Sequence, residues 1–194
     1  MKILLPSLMF VLLAFTLPYQ AEAARDINVG KTEASNKPRY NKDNVREYEQ
    51  DDVSIIANAY YENDTNLLAN GIVKSYYPEG KIKREERIKE GKLNGVSKMY
   101  YPNGKLLLSI TFENNKANGP YDIYYTNSRS KLSGNYANNK KDGEFKKYDE
   151  KGKLLYIISF RKDVVSSGKK YNKKGEEEPL SLDELEDIVP TLLE

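Results

Sequence analysis

Carboxylates are the side chains through which this chain could perform acid–base chemistry, because it contains no histidine and no cysteine. Two adjacent pairs, Glu85-Glu86 and Asp149-Glu150, bring carboxylates together. Glycosidases use two carboxylates that flank the scissile bond. The first pair lies in a predicted strand, where neighbouring side chains point to opposite faces, and the second lies at a predicted turn. We therefore interpret both pairs as solvated surface groups.

The absent residue types exclude further chemistry. Without histidine, cysteine or tryptophan, the chain cannot form a Ser-His-Asp or Cys-His catalytic site, or a zinc site with histidine or cysteine ligands. Asn63-Asp64 and Asn138-Asn139 lack the alternating oxygen ligands and the closing glutamate of a calcium loop. We expect a protein that is not an enzyme and that uses no metal and no cofactor.

Tyrosine is the residue type whose spacing suggests recognition. A first series recurs every 24 residues, at Tyr76, Tyr100, Tyr124 and Tyr148. It is expected to stack from repeat to repeat as a structural spine, although rings on one face could also form a ladder for a sugar or another extended polymer. A second series follows it directly, ends at Asp149 and is expected to be the more exposed. The predicted binding surface consists of Tyr77, Tyr101, Tyr125, Lys98, Lys146 and Lys147.

The tyrosines belong to a 24-residue repeat that determines the architecture. Asn-Gly or Asp-Gly dipeptides open four blocks, and three blocks carry a second glycine nine residues later. Such dipeptides between alternating runs are strong hairpin signals, and the second glycine fits a turn with positive φ. The third block has Ser128 instead, so its turn is expected to differ in geometry. The predicted structural turns are centred on Gly71, Gly80, Gly95, Gly104, Gly119, Gly143 and Gly152.

The runs between these turns alternate in polarity, as half-buried strands do. We predict a mostly β fold, an elongated antiparallel meander of 24-residue β-hairpin repeats that residues 53–61 extend upstream and a short C-terminal helix follows. The first block carries Arg84 and Glu86 at apolar positions of the pattern and is expected to be an end unit that faces solvent. Curvature of the sheet, a terminal segment or a partner must cover the apolar face.

The N-terminal residues carry the features of an export signal. Lys2 precedes an apolar stretch at residues 3–17, and Ala21-Glu22-Ala23 has the small-x-small pattern of a cleavage site. We expect a cleaved signal peptide at residues 1–23 and a periplasmic or secreted protein. Residues 24–52 are polar and are predicted to be a flexible linker. Residues 53–175 form the predicted repeat domain.

Residues 176–194 are predicted to form an acidic amphipathic tail. Ser181 and Glu184 have the spacing of a capping box, and Pro190 should end the helix. The apolar face of this helix is predicted to consist of Leu182, Leu185, Ile188 and Val189. The tail is expected to cap the array, with a disordered tail or a partner-binding helix as alternatives.

Charge is separated along the chain, although the net charge is only +2. Residues 70–175 hold 24 Lys and Arg against 11 Asp and Glu, whereas residues 176–194 hold eight acidic residues and no basic one. A basic array favours anionic partners such as lipid headgroups, acidic polysaccharide or an acidic protein. Scattered lysines also keep a long sheet soluble and protect its edges. Nucleic acid is not an expected partner, since no recognition-helix pattern is present.

The repeats resemble a known family. Residues 94–106 and 112–119 are similar to the MORN repeat variant, whose bacterial members read Gly-x-x-x-x-Tyr-Tyr-x-Asn-Gly-Lys-Leu before a strand that contains Tyr or Phe. The resemblance covers residues 70–175. It implies a scaffold that binds proteins or lipids or, after YwqK-type antitoxin-like proteins, a protein that neutralises a toxin.

The expected function combines this resemblance with the export signal. We expect an exported, non-enzymatic module that binds a protein partner or the cell envelope. An antitoxin or immunity-like protein that neutralises one cognate toxin is the alternative. The third block departs from the family pattern at Ser128 and the fourth at Asp149, so a ligand row that follows the repeats would be uneven there.

Overall fold

The structure is a computed structural model that describes residues 38–193. The predicted signal peptide 1–23 and residues 24–37 of the predicted linker lie outside the described residues. The described chain forms a 14-stranded sheet, a two-stranded sheet and a short C-terminal helix. The prediction of a mostly β fold of hairpin repeats with a C-terminal helix is confirmed.

The strands are β1 (Arg39–Tyr40), β2 (Arg46–Glu49), β3 (Val53–Ile56), β4 (Ala59–Glu62), β5 (Gly71–Tyr76), β6 (Ile82–Lys89), β7 (Lys92–Leu93), β8 (Gly95–Tyr100), β9 (Leu106–Glu113), β10 (Lys116–Tyr124), β11 (Ser130–Ala137), β12 (Lys140–Lys141), β13 (Gly143–Tyr148), β14 (Leu154–Arg161), β15 (Val164–Tyr171) and β16 (Glu177–Pro179). The helix is α1 (Leu182–Ile188), and a short 3-10 turn covers Gln50–Asp52.

The large sheet follows the chain almost strand by strand. Its order is β1-β2-β5-β6-β8-β9-β10-β11-β13-β14-β15-β16, with β7 paired to β6 and β12 paired to β11. Neighbouring strands are antiparallel except that β2 runs parallel to β5. Between β2 and β5 the chain leaves this sheet and forms the separate β3–β4 hairpin. The repeats are therefore a meander of hairpins with a crossover at its start.

The reversals between repeats are two-residue turns upstream of the Asn-Gly and Asp-Gly dipeptides. Residues 90–91, 114–115, 138–139 and 162–163 separate paired strand residues, and both members of each turn have positive φ. Tight hairpin turns require this conformation at both positions. The prediction of turns centred on four opening glycines is wrong, because strands run through or begin at Gly71, Gly95, Gly119 and Gly143. Around Gly119 the register shifts, so its φ of 124° accommodates a bulge.

The turn inside each repeat follows the tyrosine of the first series and the residue after it. Gly80, Gly104 and Gly152 lie there with φ of 79°, 84° and 86°, as expected of turn glycines. Ser128 occupies the same position with φ of 69°. Its N–H donates to the Tyr125 carbonyl at 2.8 Å. One repeat earlier, the Gly104 N–H donates to the Tyr101 carbonyl at the same distance. The expectation of a different turn in the third block is wrong, since these backbone hydrogen bonds hold serine in the left-handed region.

Two hydrogen bonds tie each of the last three turns between repeats to the preceding repeat. The Asn115 N–H donates to the Leu93 carbonyl at 3.0 Å, and Asn115 Oδ1 accepts from the Leu93 N–H at 2.7 Å. In the first turn, the Gly91 N–H donates to the Ala69 carbonyl at 2.9 Å, but glycine has no side chain to accept the second bond. We call the paired bonds the inter-repeat links. They recur between Asn139 and Ala117 and between Asp163 and Lys141.

The inner face of the sheet forms one core whose central row mixes large and small side chains. From strand to strand this row contains Ser97, Ile110, Tyr121, Gly134, Phe145, Ile158 and Gly168. Gly134 lies between two rings, and a Cβ there would come within 2.5 Å of the Phe145 ring. The rings of Tyr136 and Phe145 meet edge to face with centroids 5.6 Å apart. The small residues therefore make room for the aromatic ones.

Residues 39–52, which precede the repeats, are ordered and cover the first end of the core. Tyr48 of β2 is buried, and β2 pairs with β5 over three residues. Gly71 permits this approach, because a Cβ there would lie 2.1 Å from the Arg46 carbonyl oxygen. The prediction of a flexible linker up to residue 52 is wrong for residues 39–52, since they bury apolar surface that a linker would leave in water.

The segment predicted to extend the meander upstream, residues 53–61, instead lies in the separate β3–β4 hairpin. Its turn is Ala57-Asn58, with φ of 50° and 63°. Val53 and Tyr60 join the core, and the Tyr60 N–H donates to the Gly91 carbonyl at 2.7 Å. Two consecutive residues with positive φ reverse the chain in the middle of this segment.

A fifth hairpin ends the sheet. Strands β15 and β16 enclose a turn in which the Gly175 N–H donates to the Asn172 carbonyl, the same bond as in the earlier turns. Gly168 pairs with Ile158 on one side, as Phe145 does on the other. Gly168 is therefore the counterpart of Phe145, but the chain reaches it one residue earlier than the 24-residue repeat predicts. Because the bulge here is one residue shorter, the residues of this hairpin fall out of the 24-residue pattern of the sequence. The edge strand β16 has three residues, all of them exposed.

The C-terminal tail packs on the inner face at this end. A Cβ on Gly168 would lie 2.6 Å from a methyl carbon of Leu185 and 2.9 Å from one of Leu180. Val189 and Leu192 are buried with them. The two leucines thus occupy the place that the ring of Phe145 fills one repeat earlier.

Helix α1 begins with the predicted capping box. The Glu184 N–H donates to Ser181 Oγ at 3.3 Å, and the Ser181 N–H donates to the Glu184 carboxylate at 2.9 Å. The helix ends at Ile188, before Pro190. Leu182 is 66% exposed, so its assignment to the buried face is wrong. The helix is only seven residues long, and its buried contact with the sheet begins at Leu185.

Replacing Ser128 by glycine should stabilise the protein. Glycine adopts the positive φ of this turn without steric cost, so Ser128→Gly is expected to raise the free energy of unfolding by about 1 kcal/mol. The matched change Gly104→Ser in the equivalent turn should lower it by about the same amount. Denaturant unfolding measures both. Unchanged stability of Ser128→Gly would mean that the serine is unstrained.

Adding a methyl group at Gly134 should destabilise the core. The new Cβ overlaps the Phe145 ring, so Gly134→Ala is expected to lower the free energy of unfolding by about 1–3 kcal/mol. Combining it with Phe145→Leu should give less than the sum of the two separate losses, because leucine vacates part of the space. Denaturant unfolding of the three variants completes the cycle. Strictly additive losses would contradict the contact.

Candidate functional site

A row of tyrosines crosses the outer face of the sheet. Ser97 and Phe145 point into the core, so alternation along β8 and β13 directs Tyr100 and Tyr148 outward. Each tyrosine of the first series pairs directly with one residue of the following long strand. We call these eight residues the tyrosine strip: Tyr76, Ile82, Tyr100, Leu106, Tyr124, Ser130, Tyr148 and Leu154. Tyr76 is 43% exposed, and the other seven are half-buried.

A polar row runs beside the strip on the same face. Its directly paired members are Lys74, Glu85, Lys98, Ser109, Asp122, Ser133 and Lys146. The Tyr100 hydroxyl donates to Glu85 at 2.7 Å, and burial together with this carboxylate raises the pKa of Tyr100. Lys146 forms an ion pair of 3.1 Å with Glu144. The outer face therefore combines half-exposed rings with charges of both signs.

The second tyrosine series joins neighbouring repeats. The hydroxyls of Tyr77, Tyr101 and Tyr125 donate at 2.7 Å to backbone carbonyls one repeat further on. The acceptors are Tyr100, Tyr124 and Tyr148. All three donors are half-buried, so the expectation that this series is the exposed one is wrong. The edge-to-face ring contacts of the core lie instead among Tyr121, Tyr136, Phe145 and Phe160.

The structure does not bring the six predicted binding residues together. Lys98 and Lys146 lie in the polar row of the outer face. Lys147 belongs to the inner side of β13, and its Nζ donates to the Thr191 carbonyl of the tail at 2.8 Å. The hydroxyls of the three tyrosines are engaged within the sheet. That any of these residues contacts a ligand stays a prediction.

The carboxylate pairs do not converge on a common site. Glu86 is 5% exposed and accepts from the Tyr60 hydroxyl at 3.0 Å and from Arg84 at 3.3 Å. Burial raises the pKa of Glu86, although the charge of Arg84 opposes this shift. Its interpretation as a solvated residue of an exposed end unit is wrong, because the β3–β4 hairpin covers it. Glu85 faces outward, as alternation predicts.

A polar cleft of about 530 Å³ opens at the first end of the sheet. Its floor contains Glu62, which accepts from the Tyr48 hydroxyl at 2.6 Å, from Arg46 at 2.8 Å and from Thr65 at 2.8 Å. Burial raises the pKa of Glu62, but these hydrogen bonds and the Arg46 charge outweigh it and lower the value overall. The carboxylate is thus already satisfied by the protein. Sequence reasoning missed this cluster, since it lies outside the repeats.

Two kinds of feature are absent from residues 38–193. No group of three or more acidic residues is placed so that it could hold a metal ion. In the same part of the chain, no helix has the length and apolar character needed to cross a membrane.

The repeated hairpins, their shared core and the links between them define a β-hairpin repeat protein. Three segments, residues 69–90, 93–114 and 141–162, match the MORN repeat variant. The chain therefore carries MORN-variant repeats between residues 69 and 162, and the resemblance in the sequence is confirmed. The third block has no match of its own, although it folds like the others. No curated protein matches the chain at a significant level.

Removing one hydroxyl of the second tyrosine series should weaken the array. Tyr101→Phe leaves the Tyr124 carbonyl without its donor, so the free energy of unfolding should fall by about 1 kcal/mol. Tyr40→Phe, at a tyrosine that is 57% exposed at the sheet edge, is the matched control and should have no measurable effect. Denaturant unfolding compares the two. Equal stabilities would remove the structural role of the hydroxyl.

Proposed function

We propose that this protein is a non-enzymatic module that binds another protein through the outer face of its sheet. The tyrosine strip carries the proposal. It places half-exposed rings and aliphatic side chains next to charged groups, the composition that protein interfaces favour. Repeat arrays of this kind generally act by binding proteins along an extended surface.

The chemistry of the chain supports a binding role over catalysis. It has no histidine or cysteine. Glu62 and Glu86 are held by hydrogen bonds from neighbouring side chains, and Asp149 accepts from the backbone of its own turn. These carboxylates stabilise the fold where they lie, which leaves none of them poised as an acid–base pair.

We propose further that the module acts in the periplasm or outside the cell, on the basis of the signal pattern in residues 1–23. The partner would then be a protein of the envelope or of the surroundings. An antitoxin or immunity-like role is a narrower form of the same proposal, in which the partner is one cognate toxin. Its support is the family resemblance alone.

Site-specific photocrosslinking in intact cell envelopes tests the proposal. A photoreactive amino acid replaces Lys98 or Lys146 on the outer face of the full chain, and Glu186, exposed on α1, serves as the matched control position. We expect one protein adduct from both outer-face positions and none from Glu186. Adducts with anionic lipid alone, or the same adducts from all three positions, would contradict a specific protein interface.

A further inference from the structure

We propose that the tyrosine strip is the docking surface for an acidic, proline-rich polypeptide in the polyproline II conformation, with one turn of the ligand on each repeat. This inference rests on the proposed function and names the site and the class of partner. It follows from the pitch of the strip, the nature of its side chains and the charges along its border.

The pitch of the strip matches that of a polyproline II helix. Tyr76 and Tyr100 lie on β5 and β8, which β6 separates, so successive tyrosines are two strand spacings apart. This distance is about 9.4–9.8 Å. A polyproline II helix has three residues per turn and rises about 3.1 Å per residue, which gives about 9.3 Å per turn. An apolar residue at every third position of the ligand therefore meets an equivalent tyrosine on each repeat.

The side chains of the strip suit this ligand. Polyproline II segments dock on aromatic surfaces, and their preformed conformation keeps the entropic cost of binding low. Leu106 and Leu154 each stand opposite a tyrosine, at positions paired with Tyr100 and Tyr148. Along the path of the ligand, rings thus alternate with Ile82, Leu106 and Leu154, and Ser130 takes this place in the third repeat.

The outer face binds through side chains and not through its backbone. Strands β5, β6, β8 and β9 have a hydrogen-bonded neighbour on each side, so the middle of the sheet has no free edge that could add a strand. A polyproline II ligand needs no such edge, because its own backbone makes no ladder hydrogen bonds and stays solvated. This argument favours it over an extended β-strand.

Cations border the strip at the turns inside the repeats. Lys81, Lys105 and Arg129 follow the tyrosine pairs of the first three repeats and are exposed. Within residues 38–193, neither Lys81 nor Lys105 forms an ion pair with a carboxylate within 4.0 Å. The three cations recur once per repeat, two strands apart, as the tyrosines do. An acidic residue in each turn of the ligand would meet one of these charges.

A labelled peptide of about four Leu-Pro-Glu units is the probe, since about ten polyproline II residues span the four tyrosines. Fluorescence anisotropy with the full chain measures its dissociation constant. We expect it to bind at least about tenfold more tightly than a peptide of the same composition with its leucines adjacent. The Leu-Pro-Lys version should bind more weakly as well. Equal binding of all three peptides would overturn the inference.

Variants locate the site. Leu106→Glu and Leu154→Glu should each weaken binding about tenfold, whereas Val96→Glu, on the same face outside the strip, should not. Unfolding curves identify any variant that fails to fold. The double change Lys81→Glu with Lys105→Glu supplies a gain of binding that misfolding cannot mimic, since it should reverse the preference toward the Leu-Pro-Lys peptide. An unreversed preference, or equal losses at Val96 and Leu106, would overturn the proposal.

Two further probes separate this inference from the proposed function. Binding to anionic vesicles of phosphatidylglycerol or to an acidic oligosaccharide, without binding of the peptide, would contradict the partner class. A protein adduct from Lys98 and Lys146 together with no peptide binding would overturn the inference and leave the proposed function intact. Absence of both the adduct and peptide binding would overturn both.

Discussion

The inter-repeat links are the interaction on which the rest of the structure depends. An isolated β-hairpin is marginally stable in water, so successive hairpins must be held in one register before they can share a core. Each bulge interrupts the ladder and would leave backbone groups unpaired. Asn115 satisfies both the N–H and the carbonyl of Leu93 at such a break, and Asn139 does the same for Ala117. Register, core row and outer strip all follow from these bonds.

Once the register is set, the packing of the core depends on the volumes of the side chains at neighbouring positions. Tyr121 and Phe145 can both point inward only because Gly134 lies between them, and Ile158 fits beside Phe145 because its other neighbour is Gly168. The tail then fills the space that Gly168 leaves open. Equivalent positions therefore differ in size from repeat to repeat, while the backbone stays the same. Such compensation explains how sequence divergence coexists with regular structure.

Several local signals predicted the local structure, although the Asn-Gly and Asp-Gly dipeptides did not mark the centres of turns. The second glycine of three repeats, the alternation along β9 from Leu108 to Glu113 and the capping box of α1 are short-range features, and the structure contains them. The pattern failed where distant residues decide. Ser128 keeps the common turn because backbone bonds outweigh its preference, and Glu86 is buried because Tyr60 reaches it from outside the repeats. The outward direction of Tyr100 follows from alternation, but the bond from Tyr101 to the next repeat depends on the spacing of strands.

The edge strand β16 gives the array a definite length. Stacks of similar hairpins can extend from molecule to molecule wherever a long edge strand is free, which is the route to fibres. Here the last strand is short and exposed, carries glutamates, and ends in Pro179, which has no N–H to offer. This edge therefore offers little to a further strand from another molecule. The number of repeats in one chain thus fixes the length of the outer face. A ligand that lies along this face can contact only as many repeats as the chain contains.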